Sequence, residues 1–342
     1  MIKTSILIAT ILLLAISLNS SFAATVPIDN TTSGGINGAI TSGTTNPGDT
    51  ILLAPGNYTK TSNTGITINK NVTIQGNGSA ADVIIDAEGS RRIFSMSNNL
   101  NVTFINITFL NGYNTGTGGA IDNPNSLTKM TFINCTFRNS YSGNNGGVIY
   151  NLGANMNVTG CTFINNTANY GGGAIYNNQG VNFSVTGSTF INNTALGTTN
   201  ARGGGAINNY RGNYFSVNGS TFINNNVTSM QGGALLIRDS TNVNVSGSTF
   251  INNTAPTAGS IYVYGSSSNV IINYNRIFNN TDSNGFDIVN SGATNVSADL
   301  NWWGTNNITN ISGRISGTVA INNYYIFNFT NSSSLDNVHV GD

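Results

Sequence analysis

Apolar residues along this chain come in short runs that alternate with polar ones and are punctuated by Gly and Asn. In Phe183-Ser-Val-Thr186 the alternation is strict, the period-2 mark of a strand with one buried face. One phrase keeps returning: Gly-Gly-Ala-Ile or a close variant occupies 118–121, 146–149, 172–175, 204–207 and 232–235, each time followed by Thr-Phe-x-Asn. Phe109, Phe137, Phe163, Phe190, Phe222 and Phe250 mark the period, with steps of 28, 26, 27, 32 and 28 residues. A repeat of this length indicates a solenoid, a propeller or an array, and a propeller blade needs about 40 residues or more. Apolar runs this short exclude paired helices. The pattern predicts an all-β fold, a single-stranded parallel β-helix with one coil per repeat.

The alternation also gives side chains a direction. Arg138 takes the position that Ile164, Ile191 and Ile251 hold in other repeats, so that position faces outward and the preceding Phe faces in. Two residues before the Phe, the inward position holds Ile107, Cys135, Cys161, Ser188, Ser220 and Ser248. Two residues after it stand Asn111, Asn139, Asn165, Asn192, Asn224 and Asn252, which the same count assigns to an inward ladder of hydrogen-bonded amides at a turn. Cys135 and Cys161 are one coil apart, about 5 Å between Cα atoms at strand spacing. That distance suits a disulfide, but parallel side-chain vectors suit an unbonded stack of thiols, and both readings stand.

Residues 1–23 read as a signal peptide: Lys3, an apolar stretch from Ile6 to Leu18, and Ser21-Phe22-Ala23 as the cleavage site. The mature chain is expected outside the cell and without a membrane span. Residues 24–48, with Val26–Ala39 at their centre, are the expected N-terminal cap, followed by coils over 49–300, a C-terminal cap over 301–330 and a tail over 331–342. Counting phrases gives roughly nine coils. The Trp302-Trp303 pair is read as covering the last open rung, ahead of the alternative that it stacks on sugar rings.

The segments GDTILLAPGNY (48–58) and VTIQGNG (72–78) resemble the first coils of right-handed parallel β-helix proteins, the pectin-lyase-like superfamily of pectin esterases, pectate and chondroitin lyases and secreted surface proteins. The later Gly-Gly-Ala-Ile and Phe-x-Asn units are similar to the repeats of polymorphic outer-membrane proteins. In their Asn/Thr richness, and in Asn301-Trp302-Trp303-Gly304, they resemble adhesin-like surface proteins of methanogenic archaea. The resemblance spans residues 45–330 and implies a right-handed β-helix. It also implies an adhesin-like role toward glycans or surface proteins of other cells, in association with the cell envelope.

Composition narrows the chemistry. Charged residues make up 7% of the chain and the net charge is zero, so no basic patch is available for nucleic acid. Two Cys and the single His339 do not make a zinc site, and neither metal nor cofactor is expected. A monomer is expected. Acid–base chemistry on sugars needs paired carboxylates or a base beside a bound cation. The best cluster is Asp82, Asp86 and Glu88 with Arg91 and Arg92, which reads first as solvated turn charges; the polygalacturonase and pectin esterase motifs are not found. The chain is therefore expected not to be an enzyme, with that cluster as the fallback for a polysaccharide lyase or hydrolase. Tyr150 and Tyr176 share one phase of adjacent repeats and are the candidate ligand-binding residues of an adhesin-like rod; a structural envelope component without ligand is the alternative.

An Asp at position 190 would put an unpaired carboxylate into the Phe column at a cost of several kcal/mol. Phe190→Asp is expected to lower the melting temperature sharply and to erase the strand signal of several coils; wild-type melting and circular dichroism would refute the inward assignment.

Overall fold

The structure, a computed structural model, describes residues 23–197 and 203–326. The leader assigned to residues 1–23 (all but Ala23) and the tail assigned to 331–342 lie outside the described residues. Among the described residues the strands form four parallel sheets, named here A to D in the order the chain visits them in each coil. One coil shows the pattern: Asn101–Ile105 in sheet A, Thr108–Leu110 in B, Tyr113–Asn114 in the short sheet C and Ile121–Asn123 in D. The next coil repeats it in register, with Phe132 over Phe104, Phe137 over Phe109 and Ile149 over Ile121. The molecule is a parallel β-helix.

Sheet A has eleven strands, more than the nine coils counted from repeated phrases. Thr25–Ile28, assigned by sequence to the cap, pairs in parallel with Thr50–Leu53 and forms the first rung. The phrase count starts at Asp49 and so leaves this first rung out. The short helix Gly35–Thr41 buries Ile36 and Ile40 completely in the core cluster at this end. No helix among the described residues is long and apolar enough to cross a membrane.

The core is built of columns. Rings of Phe109, Phe137, Phe163, Phe190, Phe222 and Phe250 stack at 4.6–4.8 Å between centroids, within 13° of parallel. At the corner before each Phe, the Cys161 amide donates to Ser188 Oγ at 3.1 Å, Ser188 to Ser220 Oγ at 3.1 Å and Ser220 to Ser248 Oγ at 3.0 Å. Cys135 and Cys161 occupy the start of this column as free, buried thiols, the Cys135 amide donating to Cys161 Sγ at 3.4 Å. Burial pushes the Cys135 thiol well above its ordinary value.

The amide ladder runs one residue later than the alternation count places it. Asn139, Asn165, Asn192, Asn224 and Asn252 are exposed and lie at φ between 53° and 56°, the left-handed region that Asn tolerates better than other side chains. The bend at that residue interrupts the alternation, so the following Asn faces inward. Asn166, Asn193, Asn225 and Asn253 each donate from Nδ2 to the next Asn Oδ1 at 2.9, 2.9, 2.9 and 2.8 Å, ending on Asn280. Each Nδ2 also reaches the carbonyl of a Phe one coil back, as Asn193 does to Phe163 at 3.0 Å. A second buried ladder, Asn123 to Asn151 to Asn177 to Asn209, runs along sheet D at 2.9, 2.8 and 2.7 Å. Beside it the Gly-Gly pairs carry the chain into sheet D. Gly172 lies at φ +65°, and a Cβ there would sit 2.2 Å from the Ile175 carbonyl oxygen.

Near the C-terminal end the phase held by Ala174, Ala206 and Ala234 passes through Ser260 to Asp287, whose side chain is 1% exposed and pairs with Arg314 at 3.1 Å. Burial pushes this carboxyl up to about 6, with Arg314 pulling it down and the nearby Asp282 charge adding to the rise. Because the folded value lies above the unfolded one, protonation favours the folded state.

The column assignment predicts that Asn193→Ala, which strands a buried carbonyl and the neighbouring amides, costs roughly 2–4 kcal/mol, whereas Asn192→Gly stays within about 0.5 kcal/mol. Chemical denaturation of the two variants measures both. For Asp287, stability relative to Asp287→Asn is expected to be greatest below about pH 4 and to fall by about 2–3 kcal/mol as pH rises to about 6. A flat difference curve across that window would refute it.

Candidate functional site

The outer face of sheet D carries the side chains that the core does not use. Each of its strands buries the residue before and the residue after an outward position, as in Ile175-Tyr176-Asn177. Along the rod that position holds Asp122, Tyr150, Tyr176, Asn208, Leu236, Tyr262 and Val289 in register. Tyr150 and Tyr176 stack at 5.9 Å and 9°, so the structure brings the two sequence candidates together. They are packed rather than open: Tyr176 is 6% exposed, and the Tyr150 hydroxyl accepts from Asn178 Nδ2 at 2.7 Å.

A second outward column, two residues further along each strand, holds Asn178, Tyr210, Arg238 and Tyr264. The Arg238 guanidinium lies 4.8 Å from the Tyr210 ring centre and 5.6 Å from that of Tyr264, and the Arg211 guanidinium lies 4.9 Å from the Tyr210 ring centre. Such contacts hold a guanidinium against the aromatic faces by the ring quadrupole. Asp239 pairs with Arg238 at 3.4 Å. Against this stack lies a cavity of about 90 Å³ lined by Gln231, Leu236, Arg238, Tyr262 and Tyr264. The signal was available in sequence, because Tyr210, Arg238 and Tyr264 each stand three residues after the Ile or Leu of the repeat phrase.

Of the charged cluster read from sequence, Asp86 and Glu88 stay bonded to each other and Arg92 turns away to an acid of the next coil. Asp82 accepts from the Ser79 hydroxyl and amide at 2.7 and 2.9 Å, and these bonds hold its carboxyl below the usual range. Asp86 accepts from the Glu88 amide at 2.8 Å and from Asn111 Nδ2 at 3.0 Å, while Glu88 sits exposed at φ 54°. Arg91 is half-buried, its carbonyl taking the Tyr113 amide. Arg92 turns to the sheet D face, where it pairs with Asp122 at 3.4 Å and donates to Gly118 O at 2.9 Å. Burial pushes the Asp122 carboxyl up, opposed by Arg92 and by the Thr117 hydroxyl at 2.9 Å. No group of three or more His, Cys, Asp or Glu side chains among the described residues is placed to hold a metal ion.

Residues 129–303, just over half of the chain, match the family model of the right-handed β-helix region. The chain belongs to the right-handed β-helix family. No curated protein matches this β-helix. Among solved structures it is similar to a mannuronic acid specific polysaccharide family 6 lyase from human gut microbiota, at 11% identity, TM-score 0.34, and coverage of 88% of this chain and 82% of that one. It is also similar to a pectate lyase, at 15% identity, TM-score 0.31, and coverage of 89% and 78%. The sequence-based expectation that the chain is not an enzyme is corrected by these two structures, which are both of lyases. The likeness is one of fold and assigns no catalytic role to any residue of this β-helix.

Proposed function

We propose that this β-helix is a secreted, adhesin-like surface protein that binds glycans along the outer face of sheet D. The observation that supports this most directly is the Tyr210–Arg238–Tyr264 stack beside its cavity. A sugar ring offers an apolar face to an aromatic side chain and hydroxyls to guanidinium and amide donors, and this face supplies both kinds of partner on adjacent rungs. The low charge content, 7% with no net charge, suits a neutral, extended ligand, and the leader read at residues 1–23 supports placement outside the cell. Tyr150 and Tyr176 then extend the strip toward the N-terminal end, with Tyr150 the more accessible of the two.

The test is binding of the purified protein to an array of polysaccharides, with released products measured on every sugar that binds. Saturable binding is expected, weakened about tenfold or more in Arg238→Ala and Tyr264→Ala, a loss of about 1.4 kcal/mol or more. Binding that is indifferent to both substitutions refutes the site. Absence of binding throughout favours a structural envelope component, and released product moves the reading to catalysis on the bound sugar.

A further inference from the structure

The last rungs break the repeat on the outside. At the corner between sheets A and B every coil from Asn106 onward has a left-handed residue: Asn106, Asn134, Gly160, Gly187, Gly219 and Gly247. The next coil has Tyr274 there, at φ 63°, a conformation that costs a bulky side chain free energy and that Gly or Asn takes far more readily. On sheet B the outward column Thr136, Thr162, Thr189, Thr221, Thr249 continues as Arg276 and then Trp302. Ile251 is followed in its column by Phe278.

Closing the core does not require these changes. Trp303 is fully buried and fills the end of the core, whereas Trp302 is only half-buried and packs edge-on against Phe278 at 5.2 Å. Tyr274 and Tyr325 are 53% and 49% exposed. Together with Asn275, Arg276 and Ile326, the rings of Trp302, Tyr274 and Tyr325 line a cavity of about 270 Å³. The Asn275 amide is committed inward, to Val245 O at 2.9 Å and Asn301 Oδ1 at 3.1 Å. That leaves the exposed Arg276 guanidinium, 5.8 Å from the Phe278 ring centre, as the charged group at the rim.

We propose that this cavity is a second glycan-binding site, which takes a pyranose ring carrying a carboxylate or a sulfate. The ring stacks against Trp302 and Tyr274, and Arg276 receives the anion as a bidentate, charge-assisted partner. The site uses different residues and a different sheet from the sheet D face and stands independently of it.

The chain has two tryptophans; both emit, but only Trp302 lines the cavity while Trp303 is buried in the core, so a ligand-induced change in tryptophan emission reports on Trp302. The experiment titrates the protein with trigalacturonate, with a sulfated galactose disaccharide and with cellobiose, following emission and, for the variants, heat of binding. Saturable binding of an anionic sugar is expected, at least about tenfold tighter than cellobiose, a difference of about 1.4 kcal/mol. Comparison of the first two probes identifies whether carboxylate or sulfate is taken. Tyr274→Gly and Arg276→Thr restore the repeat's own residues and are expected to keep or raise the melting temperature. Tyr274→Gly should abolish binding, and Arg276→Thr should remove the preference for the anion. No saturable response to any of the three sugars, equal affinity for cellobiose, or full binding in Tyr274→Gly overturns the proposal.

Discussion

Everything in this molecule depends on how the chain turns a corner inside a packed stack. A bend between two strands withdraws backbone amides and carbonyls from the sheet ladders, and a coil enclosed by neighbours has no water with which to satisfy them. The primary amide of Asn solves this with one acceptor and two donor hydrogens. Asn193 takes the Asn166 amide and side chain on its oxygen, and its Nδ2 donates to Asn225 and to the Phe163 carbonyl. Each corner is thus bonded to the coils on either side of it, and no coil is complete alone. Hydrophobic stacking of the Phe column adds free energy, but it does not fix the register as these directional bonds do.

How much of this could be read in the sequence follows from which constraints are local. The alternation around Phe190, the inward Ser188 and the outward Ile191 depend on neighbouring residues only and are legible directly. The ladder was displaced by one residue because alternation holds along a strand and fails at a left-handed bend. Asn192 absorbs the bend and Asn193 inherits the inward direction. The second ladder through Asn151, Asn177 and Asn209 lies beside the Gly-Gly phrase, where Asn reads equally well as a turn residue. Arg92 shows the same limit for charge: its nearest acids in sequence are Asp86 and Glu88, yet its partner is Asp122, on the next coil.

The surfaces proposed to bind ligand are harder to read for a related reason. Inward positions are fixed by the repeat, whereas outward positions are free to differ, so a site on this fold is a departure from the pattern and not a motif within it. Tyr210, Arg238 and Tyr264 become neighbours only when the coils are aligned, and the Trp302-Trp303 pair divides its labour once alternation places one ring outside and the other in the core.

The columns have a consequence for how such a molecule can change. Because coils within the Asn and Phe columns present matching donors and acceptors above and below, one of them could be duplicated or excised and the flanking surfaces would still match. The aromatic end would then move along the axis by one rung, about 4.8 Å, with its own geometry intact. Length in this architecture is therefore a quantised, nearly independent variable: the rod behaves as a ruler whose graduations are coils and whose tip can be repositioned without being rebuilt.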